Sequence, residues 1–330
     1  MKKTLKALSI GLALAMILAA LTGCMGRKKG DGPVWTSERD VVLTLGDYNV
    51  YRDFYRYLFL NSIDYFAEKN EGKPVDVNEV KDYVLNSLET TYGMFVLADR
   101  YEITLSDEDK DNIESYIKSS KEGYTDSEFE ASLAESYMDK ELYKFLLEIQ
   151  QLEYLVFQHI VNEYTGILKV DDAALSEAVD KEFVRASHIL FTFDNAEEEK
   201  SKLDTAKTVL EKLKNGEDFE TLKEEYSDDT DLKGNKDGYY FTKGEFKNEF
   251  EYTAFELEVG GLSEIVKTDV GYHIIKRLPI EEKYVNDHFE ELRTQYKTAL
   301  YYKMVFDEYS KFTPEYKEEY MNIQLDSFDK

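Results

Sequence analysis

The chain has 330 residues, 42% of them hydrophobic and 33% charged, with a formal net charge of −27. This excludes a chain that is disordered overall and leaves room for two domains, or for one compact domain on a helical frame. The acidity argues against a nucleic-acid partner. The single cysteine, Cys24, cannot build a disulfide framework, so the 26 Tyr and 19 Phe point to stability from packing.

At the amino terminus Lys2, Lys3 and Lys6 form a basic start, followed by an apolar stretch, 7–20, broken only by Ser9 and Gly11. That stretch is shorter than the roughly 20 apolar residues a spanning helix needs and reads as an export leader. The leader ends in Leu21-Thr22-Gly23-Cys24, which is similar to the lipobox of bacterial lipoproteins. The resemblance implies a signal peptide over 1–23, a lipid (palmitate) on Cys24, and a protein held on the extracytoplasmic face of the cell membrane. An ordinary cleavage site beside an accidental cysteine is the alternative. In the linker 24–40, Arg27, Lys28 and Lys29 would lie against anionic head groups. Loss of the leader removes three lysines and no acids, which deepens the negative charge by three.

Val41 to Leu45 reads as a short strand and Gly46-Asp47-Tyr48-Asn49 as its turn. A helix is expected at once, because Tyr51, Phe54, Tyr55, Leu58 and Ile63 recur at helical spacing, a stripe read as core. After Pro74, Val80, Val84, Leu88, Phe95 and Leu97 predict a second helix ending near Tyr101. Ser106 followed by Asp107, Glu108 and Asp109 reads as a helix cap. Further helices are expected over 125–136 and from Lys140 to about Tyr164, where Gly166 can stop the pattern. His159 lies in this last helix and is assigned a structural or surface role. Val170-Asp171-Asp172 caps one more short helix.

The segment 184–278 differs from everything before it. It reads as strand, helix (196–215), helix (219–225), a polar Gly/Asp loop, an aromatic strand (Tyr239-Tyr240-Phe241), a short helix (249–257), a Gly260-Gly261 turn and two closing strands. Alternation places Ala186, His188 and Leu190 on one face of the first strand, and Tyr272 and Ile274 opposite His273 and Ile275 in the last. Each histidine taken alone reads as a core residue. If the strands are neighbours, both imidazoles can share one face. After Pro279 a helical pattern returns through Tyr284, Phe289, Leu292, Tyr296, Leu300, Met304 and Phe306.

Val184-Arg185-Ala186-Ser187-His188-Ile189-Leu190, Tyr226-Ser227-Asp228-Asp229, the loop from Gly234 to Phe241, Phe250 to Phe255, Gly260-Gly261-Leu262-Ser263 and Thr268 to Ile275 together resemble the parvulin type of peptidyl-prolyl cis/trans isomerase. The helical flanks and the lipobox resemble the PrsA group of extracellular foldase lipoproteins, and the periplasmic SurA chaperones as well. The fold class expected is α+β, with a parvulin-like domain (181–279), a four-stranded antiparallel sheet with flanking helices, inserted in a mainly α-helical chaperone lobe. That lobe is drawn from 41–180 and a C-terminal segment, 280–330.

The resemblance implies catalytic roles for His188, Asp229, His273 and Thr268, and a substrate-binding wall of Phe246, Phe250 and Phe255. Asp229 by itself reads equally as a turn or cap residue. The loop departs from the family pattern: Asn235-Lys236-Asp237-Gly238-Tyr239-Tyr240-Phe241 stands where Gly-Gly-Asp-Leu-Gly-Trp-Phe is common, and Phe246 replaces a frequent methionine. No cofactor and no metal are implied. The partners implied are unfolded exported polypeptides containing X-Pro bonds and the membrane reached through Cys24, with a homodimer left open. Two competing readings remain, a holdase chaperone whose parvulin-like domain only binds peptides and a solute-binding lipoprotein. Against the latter stands the lack of repeated βαβ patterning.

Overall fold

A computed structural model describes residues 40–69, 74–162 and 165–328. The expected leader, Cys24 and the Arg27-Lys28-Lys29 cluster lie outside the described residues. Among the described residues, those from 40 to 167 together with 303–328 form one compact unit, and residues 168–302 form another.

The first unit opens on a hairpin. β1 (Val41–Leu45) turns at Gly46-Asp47 and pairs antiparallel with β2 (Tyr48–Tyr51), so Tyr48 and Asn49 are strand residues rather than turn residues. Helix α1 (Arg52–Lys69) begins only after Tyr51. Gly46 sits at φ +59, a conformation glycine adopts without a Cβ penalty. Four helices follow: α2 (Val77–Arg100), α3 (Asp107–Ser120), α4 (Asp126–Ala134) and α5 (Lys140–Val161). Their starts are set by side chains that accept otherwise unpaired amides, Asp76 from Asn78 N–H and Asp139 from Leu142 N–H. At α3 the cap works in the other direction as well, with the Asp109 carboxylate accepting from both N–H and Oγ–H of Ser106.

The aromatic stripe is core, as its spacing predicts. Phe54 meets Phe145 edge to face, and Tyr55 and Phe59 pack against Phe328. That last residue comes from the C-terminal stretch. There, after the helix that ends at Tyr309, β7 (Glu315–Tyr316) adds to β1, giving a three-stranded sheet of order β2-β1-β7, and α12 (Glu318–Asn322) closes the unit. Neither β2 nor β7 is visible as a strand in the sequence pattern.

In the second unit α6 (Asp172–Glu182) leads into β3 (Val184–Phe191). After β3 come α7 (Ala196–Lys214), α8 (Phe219–Tyr226), β4 (Tyr239–Phe241), α9 (Asn248–Glu256), β5 (Leu262–Lys267) and β6 (Tyr272–Leu278). The sheet is antiparallel with order β4-β3-β6-β5, so the first and last strands of the segment lie side by side at its centre. Alternation gives the two faces different neighbours. Ile189, Phe191, Tyr272 and Ile274 pack with Ala206, Val209 and Leu210 of α7 and with Phe219 and Leu222 of α8. Val184, Ala186, Phe241 and Ile275 pack instead on Phe250 and Ala254 of α9.

The segments 168–183 and 280–302, which the sequence pattern joins to the helical lobe, supply this unit with a further core. Val170, Leu175, Val179 and Phe183 pack with Tyr240 and with Leu292 of α11 (Phe289–Tyr309), the helix after the short α10 (Glu282–Asp287). Two glycines are required by close approach. A Cβ on Gly238 (φ +69) would lie 2.6 Å from the Ala186 carbonyl oxygen, and one on Gly271 (φ +151) 2.4 Å from that of Phe191.

Candidate active site

β3 and β6 pair in a register that sets His188 opposite Ile275 and Leu190 opposite His273. The two histidines are therefore diagonal neighbours on the α9 face, both about 95% buried. Their rings lie nearly parallel, 11° apart with centroids at 5.1 Å, and the two Nδ1 atoms are 2.9 Å apart. His188 Nε2 lies 2.6 Å from Asp229 Oδ2, and His273 Nε2 lies 2.8 Å from Thr268 Oγ1. The four residues assigned catalytic roles by the resemblance thus form one hydrogen-bonded line, Thr268–His273–His188–Asp229.

The protons on that line follow from its ends. Burial first, and the neighbouring His188 next, hold His273 down to about 3, so it is neutral and carries one ring proton. The hydrogen bond from His188 is the main cause that brings Asp229 down to about 2, so its carboxylate is ionised and only accepts. Thr268 Oγ1 accepts from Val270 N–H at 3.1 Å and shares one proton with His273 Nε2, and the two Nδ1 atoms share another. At the far end His188 donates Nε2–H to the ionised Asp229 carboxylate.

Asp229 is held as firmly as the imidazoles. Its Oδ1 accepts from Asp231 N–H at 2.9 Å and Leu232 N–H at 3.3 Å, and its Oδ2 also accepts from Tyr239 OH at 3.0 Å. Tyr239, half-buried on β4, is a member of the site that the sequence does not reveal. Its phenol is pushed above its ordinary value chiefly by burial and then by the bond to Asp229.

The apolar side of the site is aromatic. Phe250 is buried and meets His188 and His273 edge-on, with centroids at 5.2 and 5.4 Å. The half-buried Phe246 ring stacks on Phe250 at 5.1 Å and lies 5.4 Å from Tyr239. Together they wall one side of the histidine pair. Phe255 lies elsewhere, with its ring against Phe241 and beneath Lys243 Nζ. It supports the wall from behind, through Phe241.

The rim loop that departs from the family pattern is anchored by two buried cations that the sequence reading passes over. Arg185, 4% exposed, donates to the carbonyls of Lys236, Asp237 and Pro279 and pairs with Glu281. Lys223, fully buried, donates to the Asn235 carbonyl at 2.7 Å and pairs with Glu220. Both lie among apolar neighbours, Arg185 in a strand and Lys223 in α8. A charge at a position the pattern reserves for the core is the signal that could have found them.

The aromatic wall and the line of hydrogen bonds lie within residues 188–278, which match the PPIC-type PPIase domain of the rotamases and make the protein a peptidyl-prolyl isomerase. The chain belongs to the PrsA foldase family. It is 34% identical over 230 residues to the foldase protein PrsA of Geobacillus kaustophilus, covering 66% of this chain and 72% of that one. It is also 29% identical over 286 residues to the foldase protein PrsA of Caldanaerobacter subterraneus, covering 82% of this chain and 81% of that one. Among solved structures, PrsA of Bacillus subtilis aligns over 71% of this chain and 84% of its own length, with 28% identity and a TM-score of 0.28.

Proposed function

We propose that the chain is an extracytoplasmic foldase that accelerates cis/trans isomerisation of X-Pro bonds in unfolded exported polypeptides and binds those polypeptides as a chaperone. The observation that carries this reading is the Phe246–Phe250 slot standing over the His188–His273 pair. Rotation about a prolyl bond breaks no covalent bond, so neither a nucleophile nor a metal is called for. What opposes it is amide resonance, a barrier of roughly 18–20 kcal/mol. The planar amide is more dipolar than the twisted one, so an apolar slot favours the twisted state. With His273 neutral and Asp229 ionised, the imidazole line is satisfied end to end and serves to hold the slot's floor rather than to shuttle protons. Thr268, His188 and Asp229 belong to that floor, Tyr239 braces it, and Phe246 and Phe250 receive the proline ring.

The leader and the Cys24 lipobox support attachment to the membrane through lipid on Cys24, with the domain on the extracytoplasmic side. A homodimer would enlarge the surface offered to a client, and sedimentation of the full chain decides on it.

The test is a proline-peptide isomerisation assay on the full chain, beside refolding of a client whose slow step is prolyl isomerisation. Acceleration of both is expected. A chain that slows client aggregation while leaving the isomerisation rate unchanged would reduce the unit 168–302 to a peptide-binding module. Attachment is tested separately, since Cys24→Ala should move the protein from the membrane fraction to the medium.

A further inference from the structure

Phe246, the outer wall of the slot, stands on a loop that two carboxylates hold in shape. Glu251 Oε2 accepts from the N–H groups of Gly244 at 2.7 Å, Glu245 at 3.1 Å and Phe246 at 3.4 Å, and Glu245 Oε1 accepts from Thr242 N–H at 2.6 Å. Gly244, at φ +94, lets these amides converge on one oxygen. Burial chiefly, and then the nearby Glu251 carboxylate, push the Glu245 carboxyl above its ordinary value, against the hydrogen bonds it accepts. Further on, Lys247 pairs with Asp269 at 2.8 Å, beside Thr268.

One contact on this loop comes from outside the segment that matches the isomerase domain. Gln295 of α11 donates both amide protons of Nε2, one to the Tyr240 carbonyl at 2.8 Å and one to Glu245 Oε2 at 2.5 Å. The space beyond is open. A cavity of about 740 Å³ is lined by Lys243, Gly244 and Glu245 on one side and by Thr294, Gln295 and Thr298 of α11 on the other. If Gln295 released Glu245, the loop could swing into that cavity, away from Glu251, and carry Phe246 off Phe250.

We infer that Gln295 is a positioning residue for the proline slot, so that affinity for the proline ring is set partly by helix α11. The inference rests on the isomerase reading above. A neutral double donor suits this place for a physical reason: an acceptor would add a third negative group to Glu245 and Glu251, whereas a cation could donate to both acceptors.

The test uses the full chain with Gln295→Leu, Gln295→Glu and Gln295→Lys, and reads two quantities. The first is amide hydrogen exchange at Gly244, Glu245 and Phe246. It should speed up at least about tenfold in the Leu and Glu variants, while amides of β3 and β6 stay within about twofold. The second is the split between KM and kcat for a proline peptide. KM should rise about fivefold in Gln295→Leu and more in Gln295→Glu, kcat should stay within about twofold, and Gln295→Lys should recover the parent KM. Unchanged exchange in the loop overturns the inference, as does faster exchange with an unchanged KM. A parent chain without isomerase activity overturns the functional reading instead, and the exchange data then decide by themselves whether Gln295 props the loop.

Discussion

On the α7–α8 side of the sheet, Ile189, Phe191 and Ile274 meet aliphatic and aromatic carbon alone, whereas on the α9 side the same two strands present His188 and His273 to a carboxylate, a hydroxyl and two phenylalanine rings. One residue of offset along β3 separates a residue that only packs from one that only makes sense in a network. The α7–α8 face packs carbon around Ile189, Phe191 and Ile274 and seats its buried polar groups, Arg185, Ser187 and Lys223, toward the start of β3. The histidine face requires every polar atom to be partnered, because an unsatisfied buried group there has no water to turn to. Rigidity of the site is thus supplied twice, by packing beneath the sheet and by hydrogen bonds above it.

The largest break in this comparison comes from the aliphatic face. Phe191→Ala removes a ring that is 1% exposed and should destabilise the unit 168–302 by about 4 kcal/mol. The measurement is hydrogen exchange of β3 and β6 amides, and protection retained within a factor of ten would contradict the assignment of that face as the core. The histidine face responds to acid instead. His273 titrates near 3 in the folded unit against an ordinary 6.5. Below pH 6.5 the unfolded chain takes up the proton that the folded one refuses, so stability present at neutral pH is lost as pH falls toward 3. By pH 4 the loss reaches about 3 kcal/mol. The same exchange measurement at pH 7 and pH 4 should show a slope that His273→Phe flattens, and equal slopes in the two proteins would refute a neutral buried imidazole.

His188→Ala should cost about 2 kcal/mol as well as activity, because it strips a donor from Asp229 and the Nδ1 partner from His273 together. Full activity with unchanged stability would show that the pair does not hold the slot. The smallest effect is at the rim. Tyr239→Phe removes one hydrogen bond to a carboxylate that keeps three other donors, and about 1 kcal/mol with a modest rise in KM is expected. A loss as large as that of His188→Ala would place Tyr239 in the network rather than beside it.

Much of this was legible in the sequence where periodicity and motif agree. The strands β3 and β6, their facing histidines and the aromatic wall all follow from alternation together with the parvulin-like motifs. What escaped has identifiable causes. Tyr51 lies at helical spacing from Phe54, Tyr55 and Leu58, so β2 reads as a turn at Tyr48 and Asn49 running into a helix, whereas the helix starts only after Tyr51. Strand β7 is two exposed residues, joined to β1 by backbone bonds that no side-chain pattern records. Tyr239 and Gln295 matter because a loop folds back on them, and pairings between residues far apart in sequence leave no local trace, whereas Arg185 and Lys223 show only as charges at core positions. Phe255 was grouped with the wall by its motif, yet its place behind Phe241 depends on the direction of one turn of α9.

The order β4-β3-β6-β5 also bears on the assembly of the foldase itself. The imidazoles that touch at the centre of the sheet are 85 residues apart in sequence, so their contact closes a long loop. On a chain made amino terminus first, β3 waits with its apolar faces unpaired until β6 arrives. During that interval the foldase is in the same state as its clients, and a neighbouring finished copy would serve it as it serves them.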